Sequence, residues 1–299
     1  MKNNHTVFKG MLAIIVASLL WGTTGTAASY APNVSALGIG AFSMGIGGVL
    51  LVLAARRQLF IDYKRILQHP WVLLLGAASV AIYPLAFYSS MRLSGVAIGT
   101  VVSIASAPFF AAVLERVISN KAISIQWILS FVIGAVGIAL LALGKVDNVE
   151  VAYNVQAQTL GIVLGCVAGL TYAGYSYAAK RLIEAGVHST SSMSAMFGIA
   201  AMFLLPSLLF TGDNLFSSAT NTSVSLYMAI VPMFIGYLLF GFGLNYVDAS
   251  KATLITLIEP VIATILAVLI VGEQFTGIGA VGILLVMVCL LMQAVKKNG

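Results

Sequence analysis

Charged residues are scarce in this chain, and their scarcity excludes a water-soluble fold. They make up 8% of the 299 residues, whereas 60% are hydrophobic, and soluble domains carry about 25% charged residues. In water such a chain would leave large apolar patches exposed, but in lipid the same side chains can face outward without cost. The composition therefore predicts an integral membrane protein surrounded by membrane lipid.

Residues suited to metal, redox or nucleotide chemistry are equally few. The two cysteines, Cys166 and Cys289, lie in separate apolar runs without metal-ligand spacing, so we interpret both as packing residues. The run 277–282 matches a dinucleotide fingerprint formally, but it follows a membrane span rather than a strand. The basic residues are scattered over short connections, which argues against a nucleic-acid partner. We expect no cofactor, no metal, no ATP-driven pump and no enzyme.

What the sequence has in abundance is long apolar runs. A spanning helix needs about 20 apolar residues, because the hydrocarbon core is about 30 Å thick. Ten stretches meet this requirement, and they predict an all-α polytopic membrane protein. They cover residues 10–30, 36–55, 71–91, 96–118, 123–143, 158–179, 190–210, 224–246, 249–271 and 277–295.

The distribution of lysine and arginine predicts the orientation, since short basic connections stay in the cytoplasm. With a cytoplasmic N-terminus, only Arg92 and Lys145 fall outside. The residues on the cytoplasmic side are Lys2, Lys9, Arg56, Arg57, Lys64, Arg65, Arg116, Lys121, Lys180, Arg181, Lys251, Lys296 and Lys297. We therefore expect both termini in the cytoplasm and a multi-pass protein of the cell (inner or plasma) membrane.

The two halves of the chain repeat each other weakly. Residues 106–111 match residues 258–263 at an offset of 152, and residues 20–22 match residues 171–173 at an offset of 151. Five spans in each half force equivalent helices to cross in opposite directions, so the repeats are inverted. The predicted division is a first repeat at 1–144, an external linker at 145–157 and a second repeat at 158–299.

These motifs resemble the EamA family of the drug/metabolite transporter superfamily. The residues that carry the resemblance are Trp21-Gly22, Pro108, Glu259-Pro260 and Gly272-Glu273. Asn120-Lys121 departs from it, because the family commonly shows Gly-Glu there. The resemblance implies a secondary transporter of amino acids, nucleosides, amines, drugs or other metabolites. It also implies a central cavity at the junction of the first, third, fourth, sixth, eighth and ninth spans.

Glu259 is the residue that most invites a chemical role. It lies near the middle of the ninth span, where a charged residue costs about 2.5 to 3.5 kcal/mol, so it should face a cavity or another helix. Small and polar residues share its face of the helix: Ala249, Ala252, Thr256 and Ala263. One interpretation is a group that carries a proton or pairs with a cationic substrate. The other is a permanently protonated acid hydrogen-bonded across a helix interface.

Prolines at equivalent positions of the two repeats are predicted to bend their helices. Pro260 cannot donate to the carbonyl of Thr256, which would free an acceptor beside the glutamate, and Pro108 does the same to Ile104. Both are candidate hinges for gating, and fixed packing kinks are the alternative. Glu115 is interpreted as forming an ion pair with the adjacent Arg116 at the membrane interface.

Aromatic residues with a polar end could line a cavity, stack on a ring or hold an organic cation. The complete set of candidate substrate-binding residues is Trp21, Tyr83, Tyr88, Ser106, Tyr172, Tyr175, Tyr237, Thr256 and Glu259. We expect a small-molecule substrate that is exported by alternating access, and protons are a candidate partner. The alternatives are a uniporter or importer of a cationic or zwitterionic metabolite and, in another class, an intramembrane scaffold or enzyme.

Overall fold

The computed structural model describes residues 4–144, 155–272 and 276–294, and in those residues every regular element is helical. Ten helices are long and apolar enough to cross a membrane, which confirms the predicted fold class. They are span 1 (Thr6–Ser29), span 2 (Ala36–Leu67), span 3 (Pro70–Ser94), span 4 (Ile98–Ser119), span 5 (Ile125–Leu143), span 6 (Val155–Glu184), span 7 (Ser189–Thr211), span 8 (Ala219–Leu244), span 9 (Ala249–Val271) and span 10 (Gly277–Ala294).

Several helices are longer than their apolar runs. Span 2 continues to Leu67 and span 6 begins at Val155, inside the predicted linker. The lengths of these helices were underestimated from the sequence, because polar residues can continue a helix beyond its apolar run. Some of the sequence predictions concern residues outside the described ranges. These are Lys2, Lys145, Lys296, Lys297, Glu273 and residues 145–154 of the predicted linker.

The packing of the spans is mirrored between the two halves. Spans 2 and 7, 4 and 9, and 5 and 10 each pack against their own counterpart. Span 3 packs on span 6, as span 8 packs on span 1, and span 4 packs on span 6, as span 9 packs on span 1. Such pairing follows from a pseudo-twofold axis, and an odd number of spans in each half sets this axis in the membrane plane. The bundle is therefore two inverted five-helix repeats.

Spans 4 and 9 also end in the same backbone turn. Asn120 (φ 52°) and Gly272 (φ 81°) both adopt the left-handed conformation, at the repeat offset of 152 residues. Glycine is preferred in such helix ends, and asparagine is among the few side chains that tolerate them. The replacement of glycine by Asn120 in the first half thus leaves the end of the helix unchanged.

We name the two ends of the bundle after the residues found there. Spans 2, 4, 6 and 8 finish at the Lys121 end, and span 3 finishes at the Arg92 end.

Spans 5 and 10 approach each other closely through glycines. A side-chain carbon on Gly282 would lie 2.5 Å from the backbone nitrogen of Leu141 and 2.6 Å from the carbonyl oxygen of Gly137. Gly282 of the run 277–282 therefore serves helix packing, whereas Gly277 has open space around it.

Three spans that contact one another depart from a regular α-helix. Span 1 is interrupted at Thr23, span 8 contains the π-helical segment Ala229–Ile235, and span 9 is interrupted at residues 256–257. Span 1 packs on both of the others. Span 4 stays helical through Pro108, so the proline pair does not produce a pair of interruptions. The irregular backbone is concentrated where spans 1, 8 and 9 meet.

Candidate functional site

Glu259 lies at the start of the helical segment that follows the interruption of span 9. The interruption covers Thr256 and Leu257, and the next segment is Ile258–Leu266. The backbone N–H of Glu259 donates to the carbonyl of Thr256 at 2.9 Å. The prediction that Pro260 leaves this carbonyl free was therefore wrong, because a tighter turn supplies another donor. The interruption thus lets the chain turn while the Thr256 carbonyl stays paired.

The half-buried side chain of Glu259 lines two adjoining cavities. The smaller has a volume of about 50 Å³, and the larger has a volume of about 210 Å³. Both are also lined by Trp21, Thr24, Phe87 and Tyr88. Glu259 thus stands where the two cavities meet, between residues from both halves of the chain.

Aromatic side chains form the walls of the smaller cavity. All six aromatic candidates from the sequence line it with Glu259, namely Trp21, Tyr83, Tyr88, Tyr172, Tyr175 and Tyr237. The ring centroids of Trp21 and Tyr237 are 4.9 Å apart, and those of Tyr83 and Tyr172 are 5.7 Å apart. Tyr172 stacks on Tyr175 at 5.2 Å. Residues that are far apart in the sequence therefore form one contiguous aromatic cluster.

Hydrogen bonds fix the deeper members of this cluster. The Tyr172 hydroxyl donates to Thr256 Oγ1 at 2.9 Å, which ties span 6 to the interruption of span 9. The hydroxyls of Tyr175 and Tyr237 are 3.1 Å apart and share a hydrogen bond. Buried polar groups that are paired in this way hold a rigid wall.

The hydroxyls of Tyr83 and Tyr88 differ from those of the deeper tyrosines. Neither makes a hydrogen bond to another group in the described part of the chain, although both side chains line the smaller cavity. Both residues are only half-buried. Their hydroxyls can therefore donate to or accept from a bound molecule.

The wide turn in span 8 holds the indole of Trp21. The N–H of Gly236 donates to the carbonyl of Val231 rather than to that of Pro232. The indole Nε1 of Trp21 donates to the Pro232 carbonyl at 2.9 Å. A π-helical turn often marks a functional position, since it redirects backbone groups out of the helix. Here the redirected carbonyl fixes an aromatic wall residue.

The other residues selected from the sequence lie elsewhere. Thr256 is fully buried and contributes through Tyr172 rather than to the lining of either cavity. Ser106 lies against Gly169 in the contact between spans 4 and 6. Pro108 is buried within span 4, whereas Pro260 lines the larger cavity. The structure therefore brings together Glu259, Pro260 and the six aromatic residues, and it keeps the rest apart from the cavities.

Sequence reasoning missed several residues that line the smaller cavity. They are Thr24, Gly40, Ser43, Met44, Phe87 and Met233. Phe87 follows Tyr83 by four residues, a spacing that puts both on one helix face and could have identified it. Met44 and Met233 are ordinary apolar residues in apolar helices. Only the tertiary packing distinguishes them.

The larger cavity extends from Glu259 towards the Arg92 end of the bundle. Its walls are mainly apolar, with Val101 and Ile104 from span 4 and Ile138 and Leu141 from span 5. Residues near the Arg92 end complete it, including Met91. The route from Glu259 towards this end is therefore lined by apolar side chains.

Charged groups hold the opposite end together. Lys121 Nζ lies 2.8 Å from Glu184 Oε1, 2.7 Å from Asp248 Oδ1 and 4.0 Å from Glu115 Oε1. Burial lowers the pKa of Lys121, but its contacts with Asp248 and Glu184 outweigh burial and raise the pKa above the usual value. The lysine therefore stays charged at neutral pH and links the ends of spans 4, 6 and 9.

Glu115 has a different role from the one that the sequence indicated. Its side chain is buried, and it accepts hydrogen bonds from the backbone N–H of Ala249 at 2.8 Å and from the hydroxyl of Ser250. A carboxylate in this position satisfies the first N–H groups of span 9 and complements its helix dipole. The expected ion pair with Arg116 was wrong because the acid turns inward.

Comparison with known proteins identifies the family. The EamA-like transporter family model matches residues 8–143 and again residues 159–294. The chain is 31% identical over 285 residues to "Uncharacterized transporter YwfM" of Bacillus subtilis, covering 94% of this chain and 92% of that one. It is 28% identical over 162 residues to "Probable amino-acid metabolite efflux pump" of Salmonella typhimurium, covering 50% of this chain and 54% of that one.

A solved crystal structure shares the fold. It has 17% sequence identity and a TM-score of 0.78, and the match covers 95% of each chain. The similarity at this level of identity concerns the arrangement of the helices alone. The two matched repeats account for most of the sequence, and this chain belongs to the EamA-like transporter family.

Proposed function

We propose that this membrane transporter is a secondary active exporter that moves a small metabolite by alternating access, and that Glu259 couples the movement to protons. The observation that carries the proposal is the position of Glu259, a half-buried acid after a helix interruption and at the junction of two cavities. Family membership supports transport rather than an enzymatic reaction. An acid within a membrane span is by default a functional candidate.

The proposed orientation places the Lys121 end in the cytoplasm, together with both termini, in the cell membrane. The bias of lysine and arginine towards this end supports it. The larger cavity then extends from Glu259 towards the external face, while the contacts of Lys121 hold the cytoplasmic face together. In this proposal the described conformation faces outward.

Alternating access requires the cytoplasmic end to separate while the external end closes. Span 9 is suited to such a change, because its two helical segments meet at an interruption and Pro260 lies just beyond it. We assign the hinge to this region, with Pro108 as the corresponding bend in span 4. The ion pairs of Lys121 would part in the inward-facing state.

Proton coupling follows from the chemistry of a single acid. When protonated, Glu259 is neutral and the protein can change the side to which it opens at low cost, whereas an ionised Glu259 needs a positive partner in this environment. If a proton and a cationic substrate compete for the same carboxylate, outward movement of one is exchanged for inward movement of the other. The pH gradient across the membrane would then drive export.

Reconstituted protein tests this mechanism. Substrate flux into liposomes is measured across an imposed pH gradient for the wild type, for Glu259→Gln and for Asp213→Asn, an exposed acid that lines neither cavity. We expect Glu259→Gln to lose the pH dependence and Asp213→Asn to retain it. Unchanged flux with an unchanged pH response in Glu259→Gln would dismiss the coupling role.

A further inference from the structure

The ionisable side chains around Glu259 are acidic rather than basic. Among the described residues that line the two cavities, Glu259 is the one with a carboxyl group, and lysine, arginine and histidine are absent from both linings. The basic residue at the neighbouring outer surface is Arg92, which lines a separate cavity with Tyr88. A molecule bound beside Glu259 therefore meets an acidic side chain without a basic one.

The helical segment that begins beside Glu259 does not supply a positive end for a second carboxylate. The start of a helix normally attracts a carboxylate through its free N–H groups and its dipole. In the segment Ile258–Leu266 the first turn already contains the Glu259 carboxylate, and Pro260 has no N–H to offer. A second carboxylate at this position would face the first.

The remaining lining suits an ammonium group attached to an apolar body. The faces of Trp21, Tyr83 and Tyr88 can hold a cation through their π electrons. The Tyr83 and Tyr88 hydroxyls can accept its N–H groups beside the carboxylate. The apolar walls of the larger cavity, which include Val101, can enclose a hydrocarbon or ring.

We propose that the site takes a small organic monoamine and rejects the amino acid that differs from it only by a carboxylate. The ammonium group pairs with Glu259, and the apolar body fills the larger cavity. The carboxylate of an amino acid would be buried near Glu259 without a positive partner, and a buried charge without such a partner is strongly unfavourable. This inference rests on the proposed function in treating the Glu259 site as the substrate site.

Two probes separate the effect of the ligand's carboxylate on binding from the effects of its ring and amine. Phenethylamine and phenylalanine share a ring and an amine, and they differ by the carboxylate alone. Binding of each to the purified protein in lipid nanodiscs is measured by calorimetry and by the rise in melting temperature. We expect phenethylamine to bind at least about tenfold more tightly than phenylalanine, corresponding to about 1.4 kcal/mol. 2-Phenylethanol, which keeps the ring without a charge, should bind more weakly than phenethylamine, and equal binding of the two would overturn the pairing of the amine with Glu259.

Three variants test the assignment to Glu259. Glu259→Gln should lose the preference for the amine, and Glu259→Asp, which keeps the charge, should retain most of it. Arg92→Gln should leave the preference unchanged, because Arg92 lines neither of the Glu259 cavities. The comparison of the two probes on the wild type decides the question even if Glu259→Gln fails to fold. Equal or tighter binding of phenylalanine, or no binding of phenethylamine at millimolar concentration, overturns the proposal.

Measurements of flux distinguish a failure of the proposed ligand class from a failure of the proposed transport function. Binding of phenethylamine without flux in liposomes would contradict transport of this ligand and leave the ligand class intact. Equal flux of phenethylamine and phenylalanine would contradict the ligand class and leave secondary transport intact. Selective flux of the amine supports both.

Discussion

Removal of the Glu115 carboxylate should destabilise the protein although Glu115 is far from the central cavities. In the wild type this buried group accepts two hydrogen bonds at the start of span 9, from the Ala249 N–H and the Ser250 hydroxyl. Glu115→Ala leaves both donors without this partner at a packed helix contact. The adjacent Arg116 is exposed, so Arg116→Gln provides a matched control on the same helix.

The magnitude follows from the two bonds. A hydrogen bond to a charged group contributes at least about 1.5 kcal/mol, so Glu115→Ala should lower the free energy of unfolding by about 3 kcal/mol. Glu115→Gln keeps one acceptor oxygen for the Ala249 N–H, and its amide N–H can donate to the Ser250 hydroxyl. At about 1 kcal/mol for each of these neutral hydrogen bonds, the substitution should cost about 1 kcal/mol. Arg116→Gln should stay within about 0.5 kcal/mol of the wild type.

The assay is reversible unfolding of the purified protein in mixed micelles with an increasing fraction of SDS. Circular dichroism reports the loss of helix, and the fluorescence of Trp127, whose indole donates to the Ser250 carbonyl at 3.3 Å, reports the start of span 9. The reasoning is refuted if Glu115→Ala is no more destabilised than Arg116→Gln. It is also refuted if Glu115→Gln is as damaging as Glu115→Ala, since the neutral hydrogen bonds assigned to glutamine would then contribute nothing.

Two further predictions concern helix contacts. Gly282→Ala places a methyl group against backbone atoms of span 5 and should cost about 1 to 3 kcal/mol in the same unfolding assay. Gly277→Ala, which has open space around it, should cost less, and equal losses would contradict this account. Lys121→Gln should cost about 1 kcal/mol, and less once Asp248→Asn and Glu184→Gln are already present. Because the pKa of Lys121 is raised, this contribution should be complete at pH 7 and disappear only as the pH rises through the raised value. Its loss near neutral pH would contradict the assignment.

The sequence predicted the spans and their repetition well because both depend on local patterns. A run of about 20 apolar residues has few alternatives to a membrane helix, since backbone groups in lipid must pair within the helix. The match of residues 106–111 with 258–263 is likewise visible without tertiary information. The aromatic candidates met in one place because each lies at mid-helix depth on a span that faces the seam between the halves.

The errors arose where tertiary contacts decide between local options. Pro108 and Pro260 have matching positions, but only span 9 is interrupted, and there Thr256 accepts a hydrogen bond from Tyr172 of another span. Glu115 could not be assigned from its neighbours, because its partner Ala249 is distant in the sequence. Hydrophobic periodicity indicates which face of a helix is covered, but it does not identify the residues that cover it.

The repeats match in shape but not in chemistry. If the halves exchanged conformations, the interruption at residues 256–257 would reappear at Ile104 and Ala105 of span 4. No acid would accompany it, because Ala107 occupies the position that corresponds to Glu259. A ligand paired with Glu259 would then remain bound to span 9 while the residues that form the cavity walls around it changed. Helix symmetry would thus govern which side is open, and a single asymmetric side chain would govern what is carried.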